Sequence, residues 1–506
     1  RRTPHGARLA TAEGAVSPTI VAIPTDAELA FDDPSTVIAS GVDARTGQPL
    51  LPPLPSSVLS TLASGRTLAP EEVLAIQSRM QRAGATLGVA ADIDPNDIAQ
   101  AGWGVVFAAD DPLVPEYRRA LDPLLALRKQ QAGPLYREFE GANGVQPGEA
   151  ARAFLARHGA APGAVDPLAG VPYYLLVVGT PAAVPFDVQC GMDVSFAVGR
   201  LDLESLDALA AYAERLAAAE TAPPRTTPPR AAFWGTRNAG DLATQRSARH
   251  LIAPIARDFT ERRADWTVET AIAAAATRDA LAAMLHATTP LDLLMTASHG
   301  AGYPAGALDT PAWTEQSDKQ GALVTQEWDG PLVAAPLGER MLFAADAVSD
   351  DAQIDGLVAL LFACYGAGTP AIDPFLPIDV TGRAAIAPIP FSARLPQRLL
   401  ARGAHAVIGH VERAWTHSFL WPQAGAHQTV FTSLFRQLAR GVRVGAAMDF
   451  FNDRYATLTT LLTEALRDRA AQLPNEEEVA QLWTAATDAR NYVICGDPAA
   501  RIALRH

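Results

Sequence analysis

The stretch Phe362-Ala363-Cys364-Tyr365-Gly366-Ala367-Gly368-Thr369-Pro370 decides how the rest of the chain is read. It closes an apolar segment, residues 356–363, that has the length and the Leu, Val and Phe content of a buried strand, and then it breaks into glycine and proline. A thiol therefore stands where a strand ends. In open α/β sheets ligands bind at the carboxyl ends of the strands, so Cys364 has the address of a nucleophile. The same address recurs at Leu291-Asp292-Leu293-Leu294-Met295-Thr296-Ala297-Ser298-His299-Gly300, where a histidine follows an apolar run and is itself followed by glycine. Two strand ends, one with His and one with Cys, make a candidate dyad.

Outward from these two strands the chain alternates. Before them come a strand at 102–107, helical patterns near 116–130 and 148–158, an apolar strand at 173–178, a short strand at 195–200 and an amphipathic helix at 202–219. The segment 220–230 holds four prolines in eleven residues and reads as a linker. Beyond it lie a strand at 231–235, a helix at 244–262, a strand at 266–270 and a helix at 277–286 with Thr277 as its N-cap. The His299 and Cys364 strands follow, then a strand at 404–409, helices at 425–440 and 444–469, and a strand at 491–495 that runs into Gly496-Asp497-Pro498, where Asp497 reads as a turn former. Such alternation implies an α/β fold with a mainly parallel sheet flanked by helices. The expected organisation is an N-terminal extension over 1–100 with one helix at about 69–85, a non-catalytic α/β subdomain over 101–220, the linker at 221–230, and a catalytic domain over 231–506.

Composition narrows the function. The chain has 41 basic and 55 acidic residues, a formal charge of −14, with no basic block, which argues against a nucleic-acid groove or an anionic membrane surface and favours protein or small-molecule partners. Three cysteines, far apart and odd in number, imply no disulfide framework and a reducing, cytoplasmic setting; Cys190 and Cys495 are expected to be buried and inert. Neither an apolar run of about 18 residues nor a hydrophobic leader is visible. The Arg at position 1 suits a trimmed chain. Lysine occurs only at 129 and 319, which excludes a GxxxxGK[ST] phosphate loop, and Gly366-Ala367-Gly368 lacks the third glycine of a dinucleotide fingerprint. No D-x-D-x-D-G loop appears, so neither an obligatory metal nor a cofactor is expected.

The ordered pair of strand–His299–Gly300 and strand–Ala363–Cys364 resembles the caspase-like (clan CD) cysteine peptidases. The unit Ala197-Val198-Gly199-Arg200-Leu201, the strand Gly403-Ala404-His405-Ala406-Val407-Ile408-Gly409 leading to Trp415, and the terminal Cys495-Gly496-Asp497-Pro498-Ala499 are similar to the gingipain and CHAT-type bacterial branch. The likeness covers roughly residues 170–504. It implies a caspase-like sheet, a Cys364 nucleophile, His299 as proton donor to the leaving amine, and an oxyanion site made by the N–H groups of Gly300 and Cys364. It also implies Asp241 at the base of the S1 pocket and Trp415 as its wall, hence protein or peptide substrates cut after a basic residue, Arg before Lys. Regulation by cleavage or by a partner, and a role in bacterial defence, follow from the resemblance alone.

The chain also departs from that pattern. His299 and Cys364 are 65 residues apart, and the excess lies in a Gly-, Pro- and Asp-rich loop at about 301–350 with the character of a lid, an activation loop or an exosite. A second long segment, 371–396, contains Arg383 and Arg394 and offers a site for a maturation cut. Competing readings attach to the same residues. Asp241 suits the cap of the following helix, Trp415 suits a core aromatic, and His410 and His417 rival His299 but lack the His-Gly form. The whole chain also suits a catalytically silent scaffold of the same fold that binds proteins through its loops.

Overall fold

The computed structural model describes residues 36–37, 54–55, 88–90, 93–160, 163–223, 227–331, 336–373, 375, 385–421, 425–470 and 476–504. The helix expected at about 69–85, and Arg383 in the segment after the thiol, lie outside them. The chain forms two units, residues 1–68 and 69–506; in the first, Thr36–Val37 pairs antiparallel with Leu54–Pro55.

The second unit is built on one sheet of ten strands. In chain order they are β1 (Trp103–Val106), β2 (Tyr136–Phe139), β3 (Tyr174–Val178), β4 (Ala197–Leu201), β5 (Arg230–Gly235), β6 (Thr267–Ile272), β7 (Leu293–Ala297), β8 (Val358–Phe362), β9 (Ala406–His410) and β10 (Tyr492–Gly496). Across the sheet the order is β2-β1-β3-β4-β10-β9-β8-β7-β5-β6. Every neighbouring pair is parallel except β9 with β10, where Ala406 opposes Gly496 and His410 opposes Tyr492. The last strand thus joins the half before the proline-rich linker to the half after it. The carboxyl ends of β5, β7, β8 and β9 lie together along one edge.

Parallel strands covered on both faces read as continuous apolar runs, and period two then divides their side chains between two cores. In β8, Val358, Leu360 and Phe362 pack with Phe259, Phe431 and Leu434, whereas Ala359 and Leu361 join Leu285, Leu395 and Leu399. The first set meets α3 (Ala253–Arg262), α6 (Thr429–Leu438) and α7 (Val444–Ala470); the second meets α4 (Arg278–His286) and α5 (Arg394–Ala401). In the other half, α1 (Val114–Ala132) and α2 (Leu206–Thr221) bury Leu121, Leu124, Leu209 and Leu216, while α8 (Glu476–Arg490) packs on α7.

Buried charge ties the halves together. Asp497, just past β10, accepts Arg128 Nε of α1 at 2.8 Å and Trp103 Nε1 of β1 at 3.0 Å. Glu220, at the end of α2, receives Arg128 at 3.3 Å and Arg443 at 3.1 Å. The turn role read from Gly-Asp-Pro is present as well, since the Ala499 N–H donates to Asp497 Oδ1 at 3.0 Å. Arg200, near the carboxyl end of β4, is also buried; it donates to Gln189 and to the carbonyls of Gly179 and Val184, pinning the loop after β3.

Some elements differ from the sequence reading. The helix expected at 244–262 consists of Leu242–Ser247, a π turn at Ala248–Ile252, and α3. Strand β2 was hidden because it is an edge strand whose central residues, Arg137 and Glu138, are charged and only half-buried.

Candidate active site

Strands β7 and β8 pair with Ala297 opposite Phe362, and the Ser298 N–H bonds the Phe362 carbonyl at 3.1 Å. Two residues past each strand, His299 and Cys364 leave neighbouring β-strands at the same level. The next residue shows how closely the loops approach. A Cβ on Gly300 would lie 1.8 Å from the Cys364 carbonyl oxygen and 3.0 Å from its nitrogen, so only glycine fits there.

Around Gly300 the flanking residues carry the pairing with Leu323: the Ala301 N–H reaches Ala322 O at 2.8 Å and the Val324 N–H reaches His299 O at 2.9 Å. The Gly300 N–H is thereby left facing the Cys364 sulfur. Tyr365 follows the thiol in the left-handed region, φ 58°, a conformation that costs a bulky residue of order ~1 kcal/mol. It is held there by its N–H, which donates to Glu412 O at 2.6 Å, and Ala367 N–H bonds His410 O at 3.0 Å. The loop after β8 is thus stitched to the loop after β9.

Cys364 is partly exposed, and its thiol donates to the Ala414 carbonyl at a sulfur–oxygen distance of 3.9 Å. Burial pushes the thiol up from its ordinary value; the backbone of Ala414, Arg413 and the Gly300 N–H oppose this, while Glu412 adds to it. Cys190 and Cys495 are buried, and burial pushes both up to about 12.

His299 is about one-third exposed, at 34%, and its Nε2 lies 3.0 Å from Asp241 Oδ2. That oxygen also accepts the Thr244 N–H at 2.9 Å and the Thr244 hydroxyl at 2.6 Å, so Asp241 caps the helix Leu242–Ser247 and bonds the imidazole at once. Burial alone would raise the Asp241 pKa. The bonds from His299 and Thr244 outweigh it and hold the carboxyl below the usual range. With Nε2–H given to the carboxylate, Nδ1 is the nitrogen left for proton transfer.

The excess loop between His299 and Cys364 is built rather than open, where described. It holds the helix Pro311–Lys319 and a hairpin of Leu323–Val324 with Leu342–Phe343. Trp328 sets its ring at 82° to His299, centroids 5.6 Å apart. The buried Asn238 amide clamps this loop to the one carrying Asp241, donating to Trp328 O at 2.8 Å and Thr325 O at 3.2 Å.

Asp241 and Trp415 therefore rise on opposite sides of the His–Cys pair, Asp241 from the loop after β5 and Trp415 from the loop after β9. Trp415 is half-buried and packs on Phe375 at 4.7 Å between centroids, and its N–H donates to Asp488 Oδ1 at 2.8 Å. His410 is fully buried, with Nε2 bonded to the Asp488 carbonyl at 2.9 Å. His417 is half-buried, and burial lowers its pKa. Trp328 and Asp488 were not found by sequence reasoning, since neither stands at a strand end or in a motif. Among the described residues no group of three or more His, Cys, Asp or Glu is placed to hold a metal ion, and no helix is long and apolar enough to cross a membrane.

No protein-family profile matches the chain, and no curated protein matches it. Among solved structures it is similar to the complex of the Porphyromonas gingivalis RgpB pro- and mature domains, at 12% identity over 80% of each chain with a TM-score of 0.45. It is similar to the Arg-specific cysteine proteinase gingipain R (RgpB), at 12% identity over 80% of this chain and 79% of that one, TM-score 0.43. It is also similar to the Saccharomyces cerevisiae separase–securin complex, at 9% identity over 65% of this chain and 15% of that one, TM-score 0.31.

Proposed function

We propose that the protein is a cysteine endopeptidase with Cys364 as nucleophile and His299 as general acid and base. The observation that carries this reading is the close approach of the Gly300 backbone to Cys364, at the ends of two paired strands that also carry His299. The Cys364 thiol gives its proton to His299, and its sulfur attacks the scissile carbonyl as a C–S bond forms. The N–H groups of Gly300 and Cys364 hold the oxyanion, and neither is used in the backbone pairing of the described residues. The C–N bond breaks as the imidazolium returns the proton to the leaving amine, and water then hydrolyses the thioester.

In this reading Asp241 does two things. Its Oδ2 orients His299, and its Oδ1, free of hydrogen bonds among the described residues, accepts a basic P1 side chain with Trp415 on the far side. The domain from 231 onward carries the chemistry, and cleavage or a partner regulates it. Hydrolysis of an Arg-aminomethylcoumarin peptide tests the proposal: activity should vanish in both Cys364→Ala and His299→Ala. Activity that survives either change overturns it, and a wild-type chain inert to a broad peptide panel would favour the silent scaffold.

A further inference from the structure

The peptide group between Ala414 and Trp415 is engaged at both ends. Its carbonyl oxygen accepts the Cys364 thiol at 3.9 Å, and its N–H donates to Asp488 Oδ1 at 2.8 Å. Asp488 has 0% exposure and comes from α8, outside the loops at the strand ends. Its other oxygen accepts the Ser418 hydroxyl at 2.6 Å and lies 3.6 Å from Arg454; Ser418 in turn meets the Tyr492 hydroxyl at 2.7 Å. His410 Nε2 stands 3.4 Å from Oδ1. One buried carboxylate is therefore held from several sides, and it fixes the peptide that touches the sulfur.

We infer that Asp488 is a positioning residue for Cys364: through the Ala414–Trp415 peptide it holds the resting thiol on the β9 side of the cleft, bonded to a carbonyl rather than to His299. A peptide whose N–H bonds an anion is polarised, and its carbonyl becomes a better acceptor. That carbonyl can accept from S–H but has no proton to offer a thiolate, so this one contact favours the neutral thiol, whereas the Ala414 backbone taken as a whole, Arg413 and the Gly300 N–H pull the other way. The other groups facing the sulfur are Glu412 and Arg413 from the same loop, Tyr365 beside it and Tyr492 from β10. None of these is substituted in the test below, although Ser418→Ala takes away the hydroxyl partner of Tyr492. Around Asp488 burial favours the neutral acid, but bonds from His410 and Ser418 and the charge of Arg454 prevail and keep it ionised.

The inference rests on Cys364 as the nucleophile of the proposed peptidase, but its test reads the thiol directly. Asp488→Asn keeps the shape, removes the charge and sets an amide among donors. Ser418→Ala removes the hydroxyl donor to Oδ2, with Arg454 still 3.6 Å away, and leaves the Trp415 bond to Asp488 intact. For each full-length chain, thermal melting checks folding, and iodoacetamide alkylation between pH 5.5 and 10 is followed on the Cys364 peptide by mass spectrometry. The alkylation midpoint of Asp488→Asn should fall by about one pH unit, making Cys364 about tenfold faster near neutrality, with Ser418→Ala unchanged. An unmoved midpoint in folded Asp488→Asn overturns the inference, as does an equal shift in Ser418→Ala. If Asp488→Asn does not fold, an ester replacing the Trp415 amide removes the same N–H; faster alkylation then supports the inference, and an unchanged rate overturns it. A shifted midpoint in a chain without peptidase activity would sink the proposed function alone, whereas an active chain with an unmoved midpoint would sink only this inference.

Discussion

His299 Nε2 lies 3.0 Å from Asp241 Oδ2, an oxygen that also accepts the N–H and hydroxyl of Thr244. The imidazole is thereby fixed by a side chain from a different strand end, and that side chain is itself fixed by the helix it caps. A carboxylate held this way sets the imidazole tautomer.

Asp241→Asn should therefore lower kcat by about 10²- to 10⁴-fold, because the amide cannot hold the same tautomer with the same strength. Steady-state kinetics on Arg and apolar P1 peptides separate its two proposed roles. Loss of kcat on both substrates marks orientation of His299, and a rise in KM confined to the Arg peptide marks contact with P1.

The same pair makes stability depend on pH. The folded pKa of Asp241 is depressed, so its contribution is present above the unfolded value of about 3.9 and is lost as pH falls toward the folded one. Thermal melting from pH 3 to 6 should show wild type more stable than Asp241→Asn at pH 6, with the gap closing below about pH 4. A gap that stays constant over this range contradicts the assignment.

Gly300→Ala would drive a methyl group to 1.8 Å from the Cys364 carbonyl oxygen, which is backbone and cannot swing aside. The expected cost is about 1–3 kcal/mol of stability by urea denaturation, together with loss of turnover as the two loops part. Full activity in Gly300→Ala would show that the loops approach less closely than described.

Asp497→Ala leaves Arg128 buried without its nearest carboxylate, although Glu220 remains 3.3 Å away. Removing one partner of a buried ion pair costs about 3–5 kcal/mol, so the urea midpoint should fall sharply while Cys364 alkylation in the folded protein is unchanged. A neutral effect would mean that Asp497 does not contribute to joining the two halves of the sheet.

Part of this molecule was legible from residue order. Apolar runs broken by glycine marked most of the sheet, and two of those breaks carried the histidine and the thiol that the structure sets on neighbouring strands. Strand β2 was not legible, since an edge strand needs no apolar pattern. The helix after β5 was read as one piece because a π turn preserves the amphipathic stripe across the join.

The chain by itself determined which segments are buried strands and which residues stand at their ends, because periodicity and turn chemistry are local and survive in any fold of the right class. Tertiary structure alone decided that β10 runs antiparallel to β9 and joins the two halves, that Asp241 reaches His299, and that Asp488 on a late helix grips the peptide beside Cys364. Those pairings depend on strand register and on side-chain direction to within an ångström. No pattern of residue types along the chain encodes a distance between segments that meet only when the whole sheet is assembled.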